Sequence, residues 1–174
     1  RRNDCVEPIV TGKGALIVVN KIEDEKDAVK LKASSLGDTD KGDFGTPLTT
    51  GSFALCQWDA EVDVDRLVTQ VHLRSGGVCD GRPCWKESTT GYKYKDSLSE
   101  NGAVTKGQLK SGVGGKAKLT LQAKGIRLGT PVVPFNVDTT TAVQLISLAT
   151  DACWGATFSD TSNNRFDLYK AKSD

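Results

Sequence analysis

The chain reads as an all-β protein, an antiparallel, jelly-roll-like β-sandwich with one disulfide-stapled loop. Three observations predict this. Apolar residues recur with a period of two, turn-forming dipeptides recur between the alternating runs, and no stretch sustains the three-and-four spacing of an amphipathic helix. Many short strands at such spacing belong to a sandwich or barrel.

Taken in order, strands are expected at Ala15–Asn20, Ala28–Ala33 and Ser52–Asp59. From Arg66 to Arg74, Leu67, Thr69, Val71 and Leu73 share one face, while Val68, Gln70, His72 and Arg74 share the other. Gly91–Lys95 puts Tyr92 and Tyr94 opposite Lys93 and Lys95, and Lys106–Lys110 follows. From Lys116 to Lys124, Ala117, Leu119, Leu121 and Ala123 alternate with Lys118, Thr120, Gln122 and Lys124. The last expected strands are Val132–Val137, Ala142–Ala149, Cys153–Ser159 and Phe166–Lys172. Turn signals lie at Gly37-Asp38, Gly76-Gly77, Asp80-Gly81, Asn101-Gly102, Gly114-Gly115 and Asn163-Asn164. Asn101-Gly102 is the strongest hairpin signal, and Ser34–Thr50 reads as the long loop.

At 174 residues the chain fits one domain, residues 14–174, preceded by an N-terminal segment, residues 1–13. Charge is nearly balanced, with 23 basic and 22 acidic residues and a net +1. That balance argues against nucleic acid or an anionic membrane as the partner, and no run of about 18 apolar residues is present to span a bilayer. The sequence starts at Arg1 and has no Met, as expected after removal of an export leader.

The cysteines are Cys5, Cys56, Cys79, Cys84 and Cys153, without CxxC pairs and with one His, which predicts disulfides in an oxidising compartment rather than zinc. Asp80-Gly81 and Pro83 turn the chain inside a Cys-x4-Cys frame, so Cys79 is expected to bond Cys84. Cys56 and Cys153 form the remaining internal pair, and Cys5 is left to join another chain.

Asp38, Asp40 and Asp43 carry carboxylates near a Gly, as half of a calcium loop does, but Lys41 opposes a cation and no Glu follows at the required spacing. A solvated turn is the preferred reading, and no metal or other cofactor is expected. His72 reads as a surface residue. No GxSxG, HExxH, phosphate-binding glycine loop or dinucleotide fingerprint is present, so the chain is expected not to be an enzyme. Burial accounts for Tyr92, Tyr94, Trp85 and Trp58; as exposed rings they would instead stack on sugars.

Gly81-Arg82-Pro83-Cys84-Trp85-Lys86, Gly91-Tyr92-Lys93-Tyr94-Lys95-Asp96, Gly114-Gly115-Lys116-Ala117-Lys118-Leu119 and Cys153-Trp154-Gly155-Ala156-Thr157-Phe158-Ser159 occur in this order. The set resembles an uncharacterised all-β domain of exported bacterial multidomain and surface proteins. An N-terminal Cys, here Cys5, is shared; the closing Phe166–Lys172 segment departs from the family's pattern. The resemblance implies export, a bacterial source and a modular role, and carries no site residues.

Two functions follow as expectations. The first is an extracellular structural subunit that polymerises into a filament or surface layer by strand addition. Cys5, Val6, Ile9 and Val10 would enter a neighbour's sheet, since Pro8 suits a detachable strand better than a central one. The alternative is a secreted carbohydrate-binding or adhesion module with a polysaccharide partner, using Tyr92, Tyr94, Trp85 and Trp58.

Overall fold

The structure, a computed structural model, describes residues 1–61, 64–135 and 140–174. Among these the chain forms β1 (Gly14–Val19), β2 (Ala28–Leu36), β3 (Phe53–Glu61), β4 (Val64–Leu73), β5 (Val78–Cys79), β6 (Arg82–Pro83) and β7 (Trp85–Ser88). The second half adds β8 (Gly91–Lys95), β9 (Val104–Lys110), β10 (Ala117–Lys124), β11 (Thr141–Ser147), β12 (Cys153–Phe158), β13 (Asp160–Arg165) and β14 (Leu168–Lys172). Among the described residues the helical elements are two single 3-10 turns, Asp24–Lys26 and Lys41–Phe44.

The strands build an all-β sandwich. An eight-stranded sheet runs β13-β14-β1-β2-β10-β9-β8-β7, and a four-stranded sheet runs β12-β11-β3-β4, both antiparallel. Alternation decides which residues face inward. Leu16 and Val18 of β1, Leu31 of β2, Leu119 and Leu121 of β10 and Tyr169 of β14 are buried. They belong to one core cluster with Phe53 and Leu55 of β3, Leu145 of β11 and Trp154 and Phe158 of β12. Such burial supplies roughly 1.5–3 kcal/mol per large side chain relative to exposure.

Four departures from the sequence reading have physical causes. A register shift in the β3–β4 ladder skips Val68, so Leu67 turns outward and is 47% exposed while Thr69, Val71 and Leu73 stay inward. Asn101-Gly102 is not a tight hairpin. It lies in the 96–103 loop, organised by the buried Asp96 carboxylate, which accepts hydrogen bonds from the Glu100 and Asn101 amides at 3.0 and 2.8 Å. Asn163-Asn164 sits within edge strand β13, where the Asn164 side chain pairs with both backbone groups of Phe135 at 3.0 and 2.8 Å. Residues 132–135 keep the alternation expected for Val132–Val137, with Val133 and Phe135 buried. They join no ladder, and Pro134 has no N–H to offer one; positions 136–137 lie outside the described residues. The ribbon β5–β6 closes as expected through Asp80-Gly81, both at positive φ (52° and 71°), and Cys79 bonds Cys84.

Candidate functional site

The outer face of the eight-stranded sheet carries lysine on almost every strand. Lys30 and Lys32 stand on β2, Lys86 on β7, Lys93 and Lys95 on β8, Lys106 and Lys110 on β9, Lys118 and Lys124 on β10, and Lys170 and Lys172 on β14. Lys118 is half-buried and the other ten are exposed, whereas their inward neighbours Leu31, Tyr94, Leu119 and Ala171 are buried. Strand alternation therefore puts all eleven side chains on one side.

The registers arrange them in rows across the sheet. One row reads Lys172, Ala15, Lys32, Thr120, Gln108, Lys93, Lys86 from β14 to β7. The next reads Lys170, Ile17, Lys30, Gln122, Lys106, Lys95. At about 4.8 Å per strand the first row is roughly 29 Å long. Between the charges, Ala15, Ile17, Thr120 and Gln122 line a shallow depression with Lys30 and Lys32.

The charge on this face is uncompensated. On β13 Arg165 and Asp160 cancel, leaving eleven positive charges; with the whole chain at +1, everything else nets −10. Among the described residues none of the eleven lysines forms an ion pair, whereas Arg1, Arg2, Lys21, Lys26, Lys41 and Arg165 do. Lys86 lies directly opposite Lys93, Lys95 opposite Lys106, and Lys110 opposite Lys118. Like charges directly opposite across a ladder destabilise a sheet. A balanced net charge thus conceals a strongly basic face.

The residues singled out from sequence take other places. Trp85, Tyr92, Tyr94 and Trp58 are between 3 and 9% exposed and offer no stacking strip. The Trp85 indole donates to the Arg74 carbonyl at 2.8 Å and its ring meets Tyr94 at 5.1 Å. Trp58 packs with Ala54 and Cys56 on the far face of the small sheet. The calcium-like loop spends its carboxylates locally. Asp38 accepts the Gly114 amide at 2.7 Å, Asp40 and Asp43 form a reciprocal capping box, and among the described residues no group of three metal-ligating side chains converges. His72 is exposed beside Gln70.

The cysteine pairing also differs. Cys153 bonds Cys5, not Cys56, which is a free, buried thiol. Strand β11 lies between β3 and β12, so Cys56 and Cys153 stand two strands apart, at least about 9–10 Å and offset by two residues along the strands, beyond the ~7 Å reach of a disulfide. Cys5 meets Cys153 because its segment runs along the open edge of β12: Val6 N–H donates to the Cys153 carbonyl at 2.8 Å, and Gly155 N–H to Val6 at 3.0 Å. Further on, Ile9 N–H donates to the Ser35 carbonyl of β2, and Gly37 N–H to Glu7. The segment expected to be donated to a neighbour is thus docked on its own chain. Cys5 and Val6 are engaged there, with Ile9 and Val10 left 61% and 48% exposed. Burial raises the Cys56 thiol above its ordinary value and keeps it protonated at neutral pH. Alkylation without reduction is expected to label Cys56 only after denaturation. Peptide mapping that finds Cys5 or Cys153 labelled under the same conditions would refute the pairing.

No protein-family model, curated protein or solved structure matches the chain. Further description of the site rests on its own chemistry. The face has fixed positive charge, hydroxyl and amide groups between the charges, and a half-buried apolar floor at Ala15 and Ile17. Its parts were present in the sequence as a recurrent Lys-x-Lys pattern, at Lys30–Lys32, Lys93–Lys95, Lys116–Lys118 and Lys170–Lys172. In the structure all of these except Lys116, which precedes β10, stand on the face.

Proposed function

We propose that the chain is a non-catalytic, exported adhesion module that holds an extended polyanion on its large sheet. The observation that carries this reading is the set of eleven lysines on one face, free of ion pairs and including three directly opposed Lys–Lys pairs. An arrangement that costs stability in the free protein is relieved when a polyanion neutralises it. Two disulfides, together with the resemblance to exported bacterial domains, support a site of action outside the cell. This favours the adhesion alternative over strand-donating polymerisation, because the segment that would be donated already has partners in its own chain.

The test is retention on immobilised dextran sulfate, with neutral dextran as control. The protein is expected to stay bound at about 0.15 M salt and to elute at higher salt, as a multi-lysine contact does. Changing Lys93, Lys95, Lys106 and Lys110 to Gln is expected to remove retention at that salt. Equal elution of the quadruple variant and the parent would sink the reading.

A further inference from the structure

Resting on the polyanion reading, we infer that the ligand is an acidic polysaccharide lying across the strands, rather than a nucleic acid or an anionic bilayer. From β14 to β9 the two central cross-strand rows place neutral groups between charges: Lys172 and Lys32 flank Ala15, Lys32 and Lys93 flank Thr120 and Gln108, and Lys170 and Lys30 flank Ile17; at the β7–β9 end the rows close on the adjacent lysines Lys93–Lys86 and Lys106–Lys95. The half-buried Ala15 and Ile17 floor the central depression, beside Thr120 and Gln122. That pattern matches a chain of sugar rings. Carboxylates meet the lysines, ring C–H faces settle on the apolar floor, and hydroxyls find the amide and hydroxyl groups between.

A nucleic acid asks for other things. Single strands bind through aromatic rings on which bases stack, and the tyrosines of β8 and the Trp85 ring of β7 all point into the core. Duplex recognition sends a helix or ribbon into a groove, and bidentate phosphate contacts favour arginine; this face is a broad sheet whose only arginine, Arg165, sits on edge strand β13. A bilayer asks for a plane. Neighbouring strands rotate by roughly 20° each, so the lysines of β14 and β7, six strand steps apart in one sheet, cannot all meet a flat surface. A polymer chain can follow the twist.

The experiment compares three probes at equal salt: polygalacturonate, duplex DNA and phosphatidylglycerol vesicles. Polygalacturonate is expected to bind most tightly. Thr120→Ala with Gln122→Ala is expected to weaken it about tenfold, the loss of two hydrogen-bonding groups at about 1 kcal/mol or less each. The slope of affinity against salt should not change, because no lysine is lost, whereas Lys30→Gln with Lys32→Gln should reduce that slope. Equal or tighter binding to DNA or vesicles, or a double Thr120/Gln122 variant that binds polygalacturonate like the parent, overturns this inference and leaves the polyanion reading standing. Binding to none of the three, together with no retention on dextran sulfate, overturns both.

Discussion

Removing the Cys5–Cys153 disulfide is expected to lower the unfolding free energy by about 3–5 kcal/mol, and removing Cys79–Cys84 by about 2 kcal/mol, because a cross-link restricts the unfolded chain more when it closes a longer loop. The sequence separations are 148 and 5 residues. Cys5→Ser with Cys153→Ser also releases the covalent hold on the N-terminal segment. The segment is then held by non-covalent contacts alone: the two main-chain bonds and core packing of Val6, the Arg2 contacts with the Gln144 side chain and with Asp151, and the Ile9 and Glu7 bonds to the β2 end. Urea unfolding of the two double-serine variants beside the parent measures the difference. If the Cys79/Cys84 variant proves the less stable of the two, the long cross-link is not the dominant covalent constraint. The Cys5/Cys153 variant also probes assembly by strand addition: a freed segment and an open β12 edge are the requirements for strand exchange between copies.

Gly91→Ala is expected to cost about 3–4 kcal/mol, combining a backbone conformation that L side chains rarely adopt with a clash inside a ladder. Gly91 has φ 155°, and a Cβ there would lie 2.0 Å from the Leu109 carbonyl oxygen. The only relief is to part β8 from β9, which carry four of the face lysines. Gly81→Ala is the matched control, since φ is 71° and nothing lies within 4 Å of the added methyl; it is expected to cost about 1–2 kcal/mol, from left-handed strain alone. Thermal unfolding followed by circular dichroism reads both. Equal losses in the two variants would mean that the close approach at Gly91 relaxes without cost. A Gly91 variant that still folds is further expected to bind dextran sulfate more weakly, because the Lys93–Gln108 and Lys95–Lys106 pairs would no longer be in register.

The all-β class, the Cys79–Cys84 staple and the inward side of most strands were determined by local sequence. Period-two alternation fixes which residues share a face, and Asp80-Gly81 closes its own turn, so neither needs knowledge of distant residues. The burial of Tyr92 and Tyr94 opposite exposed Lys93 and Lys95 was legible for the same reason. Edge strands β7 and β13 were not. Trp85–Ser88 shows too little alternation to read, Asp160–Arg165 shows none, and both are strands because a neighbouring ladder accepts them. The Leu67 reversal, the partners of Cys5 and Cys56, and the docking of residues 1–13 depend on which strand lies between which, a property of sheet order that spacing along the chain does not encode. The candidate site divides along the same line. Each Lys-x-Lys pair is local, but net charge sums over the whole molecule and erases it. Only the order β14-β1-β2-β10-β9-β8-β7 sets lysines from six strands side by side on one face, with the acidic residues that balance them placed elsewhere.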